Sequence, residues 1–194
     1  MSIKTICIFC GSSLGIRSEY ALAASGLAEY LAARDIAIVY GGSNVGLMRI
    51  VADTAINAGG KVIGVIPESL VAKEVAHTGL SDLRLVRSMH ERKALMSELS
   101  DAFIAMPGGY GTLDEFCEVL TWSQLGLQRK PCGLLNVKGY YDPLLSLFDH
   151  AVREGFLSSD NRALVVSGED PAELIESLRE APLPASSKWS GMRL

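Results

Sequence analysis

The sequence predicts an α/β protein with a central parallel sheet covered by helices on both faces. Short apolar runs alternate along the chain with longer stretches whose apolar residues recur at helical spacing. The short runs are apolar throughout instead of alternating with polar residues, as strands buried on both faces require. Turns rich in Gly and Ser follow several of these runs, which marks strand ends.

Residues 3–9 read as the first strand, ending in Cys10-Gly11-Ser12-Ser13. A helix over 18–33 follows, then a strand over 36–40 that ends in Gly41-Gly42-Ser43. Residues 45–58 read as a helix closed by Gly59-Gly60, a helix stop. A strand over 61–66 is ended by Pro67, and 83–86 reads as a further short strand. A helix over 90–99 and a strand over 102–106 lead into Pro107-Gly108-Gly109-Tyr110-Gly111. The remaining elements are a helix over 113–125, a strand over 132–137, a helix over 142–154 with Pro143 in its first turn, a strand over 163–166 and a helix over 171–179. Residues 1–180 read as one domain. Residues 181–194, with Pro182, Pro184 and several serines, read as a flexible tail.

Composition narrows the function. The 194 residues include 48% hydrophobic ones, and the formal net charge is −4. Mean hydropathy is +0.24, which fits a well-filled core with apolar surface to spare for a partner subunit. Binding to a nucleic-acid backbone normally needs net positive charge or a basic stripe, and the chain has neither. A small ligand is expected instead. No stretch is long and apolar enough to span a bilayer, and the start lacks the pattern of a signal peptide, so a cytoplasmic protein is expected. Cys7 and Cys10 have C-x-x-C spacing. On a strand, however, positions three apart face opposite ways, so they read as buried thiols and not as a redox or metal pair. His77, His90 and His150 are scattered without ligand spacing, and no metal site is expected.

In parallel sheets ligands bind beyond the carboxyl ends of the strands. Gly11-Ser12-Ser13, Gly41-Gly42-Ser43 and residues 107–112 all fall there, and together they make a crevice with exposed backbone N–H groups. The first turn is not G-x-G-x-x-G, and the second strand ends without an acid for a ribose 2′-hydroxyl, which argues against a nicotinamide dinucleotide. The chain also lacks a G-x-x-x-x-G-K-[ST] phosphate loop and a G-x-S-x-G elbow.

Two segments carry chemistry. The first is Pro107-Gly108-Gly109-Tyr110-Gly111-Thr112-Leu113-Asp114-Glu115, between a strand and a helix. Glycines let the backbone approach a ligand, and a helix N-terminus suits a phosphate. Glu115 then stands about a turn in, near the sugar of a bound nucleotide. Thr112-x-x-Glu115 is equally a capping box, with Glu115 reaching back to the cap residue's N–H. Spacing alone leaves both readings open, although a cap needs no glycine run before it. The second segment is Met89-His90-Glu91-Arg92-Lys93-Ala94-Leu95-Met96. Here Met89, Arg92, Lys93 and Met96 share one helix face. They read either as a cation pair at a ligand beside thioethers or as basic side chains snorkelling past core methionines.

With these segments the chain resembles the Lonely Guy family of cytokinin riboside 5′-monophosphate phosphoribohydrolases. Residues 107–115 match its P-G-G-x-G-T-x-x-E motif, and 89–93 match its M-H-x-R-K segment. The likeness continues through Cys10-Gly11-Ser12-Ser13, Tyr40-Gly41-Gly42, Gly46-Leu47-Met48, Thr121-Trp122 and Lys130-Pro131, over most of the chain except the tail. The resemblance implies a three-layer Rossmann-like fold, a homodimer, and hydrolysis of N6-modified adenosine monophosphates or AMP to free base and ribose 5-phosphate, without metal or organic cofactor. It implies Arg92 and Glu115 as the catalytic pair. Lys93, Gly109, Gly111, Thr112, Thr121 and Glu74 are implied as substrate contacts, alongside Gly11, Ser12, Gly42, Gly108, Tyr110, Leu113 and Asp114 of the glycine-rich turns and motif. A nucleotide or cofactor carrier on the same fold, and a pyridoxal-phosphate lysine decarboxylase, are the rival readings.

Overall fold

Seven strands form one parallel sheet in the order β4-β3-β2-β1-β5-β6-β7. The computed structural model describes residues 2–71 and 76–182. The strands are β1 (Thr5–Phe9), β2 (Ala37–Tyr40), β3 (Val62–Pro67), β4 (Asp82–Val86), β5 (Ala102–Ala105), β6 (Cys132–Leu135) and β7 (Val165–Gly168). The helices are α1 (Ser18–Ala32), α2 (Gly46–Asn57), α3 (Glu68–Val71), α4 (Met89–Glu98), α5 (Tyr110–Gln124), α6 (Asp142–Arg153), α7 (Ser159–Arg162) and α8 (Pro171–Glu180), with a 3-10 turn at Val137–Gly139. This is the helix-covered parallel sheet that the alternating pattern predicts, in the three-layer Rossmann-like form that the family resemblance implies.

Both faces of the sheet are apolar because helices cover both. Along β1, Ile6, Ile8 and the following Cys10 join one buried cluster with Leu27 and Leu31 of α1, Leu47 and Val51 of α2, and Leu174 of α8. Cys7 and Phe9 join the other, with Met96 of α4, Phe116 and Val119 of α5, and Tyr141. Cys7 and Cys10 therefore lie on opposite faces as free, buried thiols, as strand geometry demands. Each large apolar side chain buried this way contributes roughly 1.5–3 kcal/mol.

The order of the strands creates the site. From β1 the chain runs outward through β2, β3 and β4, then returns to β1's other edge and runs outward through β5, β6 and β7. Where the direction reverses, between β1 and β5, the loops leaving the two strands part and open a crevice.

Several boundaries differ from expectation. The largest difference is in α5, which starts at Tyr110 with Gly109 as its N-cap, not at residue 113. Thr112 is buried in the first turn, beneath Gly108, where a Cβ would collide with its Oγ1. This packing lets the helix begin despite Gly111. β7 lies two residues later than expected, because α7 continues to Arg162 and is capped by Ser158. The short α3, α7 and 3-10 turn carry too little periodicity to be read from sequence. Residues 181–182 have no regular structure, and the rest of the expected tail, 183–194, lies outside the described residues, as does Glu74. No helix among the described residues is long and apolar enough to cross a membrane.

Candidate active site

Gly11 ties its own turn to the loop after β5 and to the first turn of α2. Its N–H donates to Pro107 O at 3.0 Å, and its carbonyl accepts from Leu47 N–H at 3.0 Å. Gly46 completes the junction: its Cα lies so close to Ser12 that a Cβ would overlap the Ser12 backbone. Beyond β5, two tyrosines hold the loop into α5. Tyr141 Oη donates to Met106 O at 2.5 Å, and Tyr140 Oη donates to Gly108 O at 2.6 Å.

At the centre lies a cleft of about 210 Å³ lined by Cys10, Ser12, Met48, Arg92, Gly109 through Thr112, and Glu115. One end is the N-terminus of α5. The first intrahelical bond runs from Leu113 N–H to Gly109 O, and the N-cap has no side chain to satisfy the N–H groups of the first turn. Those of Tyr110, Gly111 and Thr112 are thus presented at the positive end of the helix dipole, an anion site. At Gly109 and Gly111 nothing lies within 4 Å of where a Cβ would be, so the space beside this backbone is open to a ligand.

The other end is built around Arg92, which is only 7% exposed. It crosses from α4 over the ends of β2 and β3. Nε donates to Val65 O at 3.0 Å, Nη2 to Gly41 O at 3.3 Å and Nη1 to Glu115 Oε1 at 2.9 Å. Three of the five guanidinium N–H groups are engaged in this way, which fixes its plane. Glu115 comes from α5, one turn beyond the anion site. The Thr112–Glu115 capping box does not form, because the N-cap is Gly109 and Thr112 lies inside the first turn; Glu115 Oε1 pairs instead with Arg92 of α4. Arg92 likewise does not snorkel.

The methionines expected beside the basic pair are only partly there. Met96 is buried, whereas Met89 is 41% exposed, because it opens α4 where the helix clears the sheet. The thioether that does line the cleft is Met48, from α2. Burial first, and the Glu115 carboxylate second, push the Cys10 thiol up. It stays protonated at neutral pH and acts as a small apolar wall, not a nucleophile.

The other expected contacts separate. Gly42 does not line the cleft. It adopts φ +72° and packs against Val65, Ile66 and Leu83, while its neighbour Gly41 faces Arg92. Lys93 turns the other way from Arg92 and pairs with Glu118 at 3.0 Å and Asp114 at 3.3 Å. Burial lowers its pKa, but those two carboxylates outweigh it and hold the ammonium above its ordinary value. Leu113 packs against the α4–α5 side of the core. Thr121, whose Oγ1 donates to Cys117 O at 2.8 Å, lies about three turns down α5 in an apolar groove with Leu120, Phe148, Phe156 and Leu157. Cys10, Gly41, Met48, the Val65 carbonyl, Tyr140 and Tyr141 were not singled out as site residues. Cys10, Gly41 and Met48, inside matched segments, carry a signal, and the Val65 carbonyl, Tyr140 and Tyr141 carry none.

Known proteins are similar to this chain in sequence. The cytokinin riboside 5′-monophosphate phosphoribohydrolase LOG of Oryza sativa subsp. japonica is 49% identical over 177 residues, covering 91% of this chain and 73% of that one. An Arabidopsis thaliana protein of the same name class is 49% identical over 177 residues, covering 91% and 83%. The chain belongs to the Lonely Guy family. A family model described as possible lysine decarboxylase matches residues 48–178. Among solved structures, the molybdenum cofactor binding protein of Rippkaea orientalis superposes with a TM-score of 0.69 at 23% identity, over 93% of this chain and 98% of that one. That likeness establishes the fold alone. Residues of both signature segments line one cleft, where Arg92 and Glu115 pair.

Proposed function

We propose that the chain hydrolyses the N-glycosidic bond of purine nucleoside 5′-monophosphates, AMP or its N6-modified forms, to free base and ribose 5-phosphate. The observation that carries this is the spacing along α5: an anion site at its N-terminus and, one turn on, a carboxylate held by a buried arginine. A nucleotide's 5′-phosphate on the first-turn N–H groups brings its ribose to Glu115.

As the C1′–N bond breaks, the ribose gains positive charge and the base gains negative charge. Glu115 stabilises the oxocarbenium-like ribose and accepts a proton from the water that attacks C1′. The departing base takes up a proton from solvent, which balances the proton that Glu115 later returns to solvent. Arg92 is a poor proton donor because its pKa is too high. Its part is electrostatic: it orients the Glu115 carboxylate and offers its remaining N–H groups to the base or phosphate. No step requires a metal or organic cofactor.

The rival readings fit the cleft less well. A carrier needs donors for phosphate, not a carboxylate at the sugar. A pyridoxal-phosphate decarboxylase needs a lysine for a Schiff base. Among the described residues lining the cleft there is none, and Lys93 is held as an ammonium by two carboxylates. Purified protein incubated with AMP and with N6-substituted monophosphates, followed by chromatography, should yield free base and ribose 5-phosphate in equal amounts. Unchanged nucleotide would refute the proposal.

The homodimer is part of the same reading. Phe156 is 84% and Leu147 58% exposed beside the groove that holds Thr121, apolar surface that a second copy would cover. Thr121 is implied as a substrate contact yet lies away from its own chain's cleft, so it would meet a nucleotide only across such an interface. We propose that the activity is cytoplasmic.

A further inference from the structure

We infer that His77 is a positioning residue for Arg92, acting through the turn that joins β2 to α2. This rests on the role of Arg92 proposed above. The guanidinium lies directly on Gly41. Gly41 O accepts from Nη2, and a Cβ at Gly41 would overlap that same nitrogen. The turn is therefore both acceptor and floor for Arg92, and any shift in it moves the guanidinium relative to Glu115.

His77 holds the turn from its far side. Its backbone N–H donates to Gly42 O at 3.0 Å, and the adjoining residues Ser43 and Ala76 form an isolated antiparallel bridge. The imidazole is 7% exposed. Its Nδ1 accepts from Gly79 N–H at 3.2 Å, which makes Nε2 the protonated nitrogen, and Nε2 donates to Asp53 Oδ1 at 2.9 Å. Asp53 stands on α2, the helix that this turn begins and that carries Met48 into the cleft. The constraint closes on itself: β2, the turn, α2, Asp53, His77, and back to Gly42. His77 does not line the cleft, so it acts only through what it holds. A rigid ring with an acceptor on one side and a donor on the other suits both bonds, whereas an apolar side chain of similar size leaves Gly79 N–H and Asp53 unmatched.

The test uses Asp53, which is half exposed and can be replaced without opening the core. Asp53→Ala removes the acceptor, and Asp53→Asn keeps an amide oxygen for Nε2–H. We expect Asp53→Ala to lower kcat on AMP about tenfold, since sub-ångström misplacement of a catalytic group has effects of that order. KM should stay within about threefold, and Asp53→Asn should restore most of the rate. In an Arg92→Ala background, Asp53→Ala should cost little more, because the two act along one path. Wild-type kcat in Asp53→Ala, equal losses in the Ala and Asn variants, a loss that merely follows the unfolded fraction, or full additivity with Arg92→Ala would each overturn the inference. Wild-type turnover in Arg92→Ala alone would instead refute the role given to Arg92, and absence of hydrolysis by the unaltered protein would refute the proposed function.

Discussion

Arg92 Nη1 lies 2.9 Å from Glu115 Oε1, and the two side chains are only 9% and 12% exposed. Ion pairs withdrawn from water gain little net stability, because desolvation offsets the attraction. This pair joins residues 23 apart in sequence at the reversal point of the sheet, where the ligand cleft opens. Its value lies in what it orients, and the predictions follow from that.

Glu115→Gln retains an oxygen that can accept from Nη1 but loses the negative charge. We expect kcat to fall about 10²- to 10⁴-fold, the usual loss for a positioned acid–base group. AMP binding measured by calorimetry should survive, because the phosphate site is separate. The melting temperature should drop, since one partner of a buried pair has lost its charge, whereas removing both partners together would cost less. Near-normal turnover would leave Glu115 with a purely structural role.

Gly41→Ala places a methyl where the guanidinium lies, with Met48 Sδ 3.2 Å from it on the other side. The arginine must move. Turnover should fall by about one to two orders of magnitude in a protein that remains folded by circular dichroism. An unaffected kcat would show that the position of Arg92 does not matter.

Gly109→Ala is the contrasting case. Gly109 has φ −92° and ψ −155°, which alanine can adopt, and the space around a new Cβ is empty of protein. Melting temperature should be unchanged, while KM for AMP rises about tenfold, equivalent to about 1.4 kcal/mol of lost binding. A lower melting temperature with unchanged KM would place the glycine in folding and not in ligand approach.

The 5′-phosphate should be essential. Hydrogen bonds to a charged group contribute about 1.5–3 kcal/mol each, and the first turn of α5 offers several. Adenosine should have kcat/KM at least about a hundredfold below that of AMP. Comparable values would move the phosphate away from α5.

In solution the protein should be a homodimer. Light scattering at micromolar concentration should give about twice the chain mass of 20.8 kDa. Phe156→Asp should shift the mass toward a monomer and reduce activity with it, if Thr121 serves a neighbouring cleft. A wild-type mass of one chain would exclude the shared site.

The alternation of apolar runs and helical periodicities determined the α/β class, because both periods are local properties of the backbone. Gly-rich turns after those runs located the crevice edge for the same reason, and the glycine motif before a helix marked the helix N-terminus at which we propose the phosphate binds. Local spacing could not choose between a cap and a catalytic role for Glu115, since both need a carboxylate three residues after Thr112. Whether Glu115 caps its helix or pairs across the cleft depended on where α5 begins, with Thr112 packed under Gly108, and on whether α4 crosses near enough to supply Arg92. Nor could spacing tell that Arg92 faces the cleft while adjacent Lys93 turns to Glu118 and Asp114, or that His77 grips the turn under Arg92. Each of these is a contact between segments distant in sequence. Such contacts exist only after the helices have docked on the sheet, so the tertiary structure alone decided them.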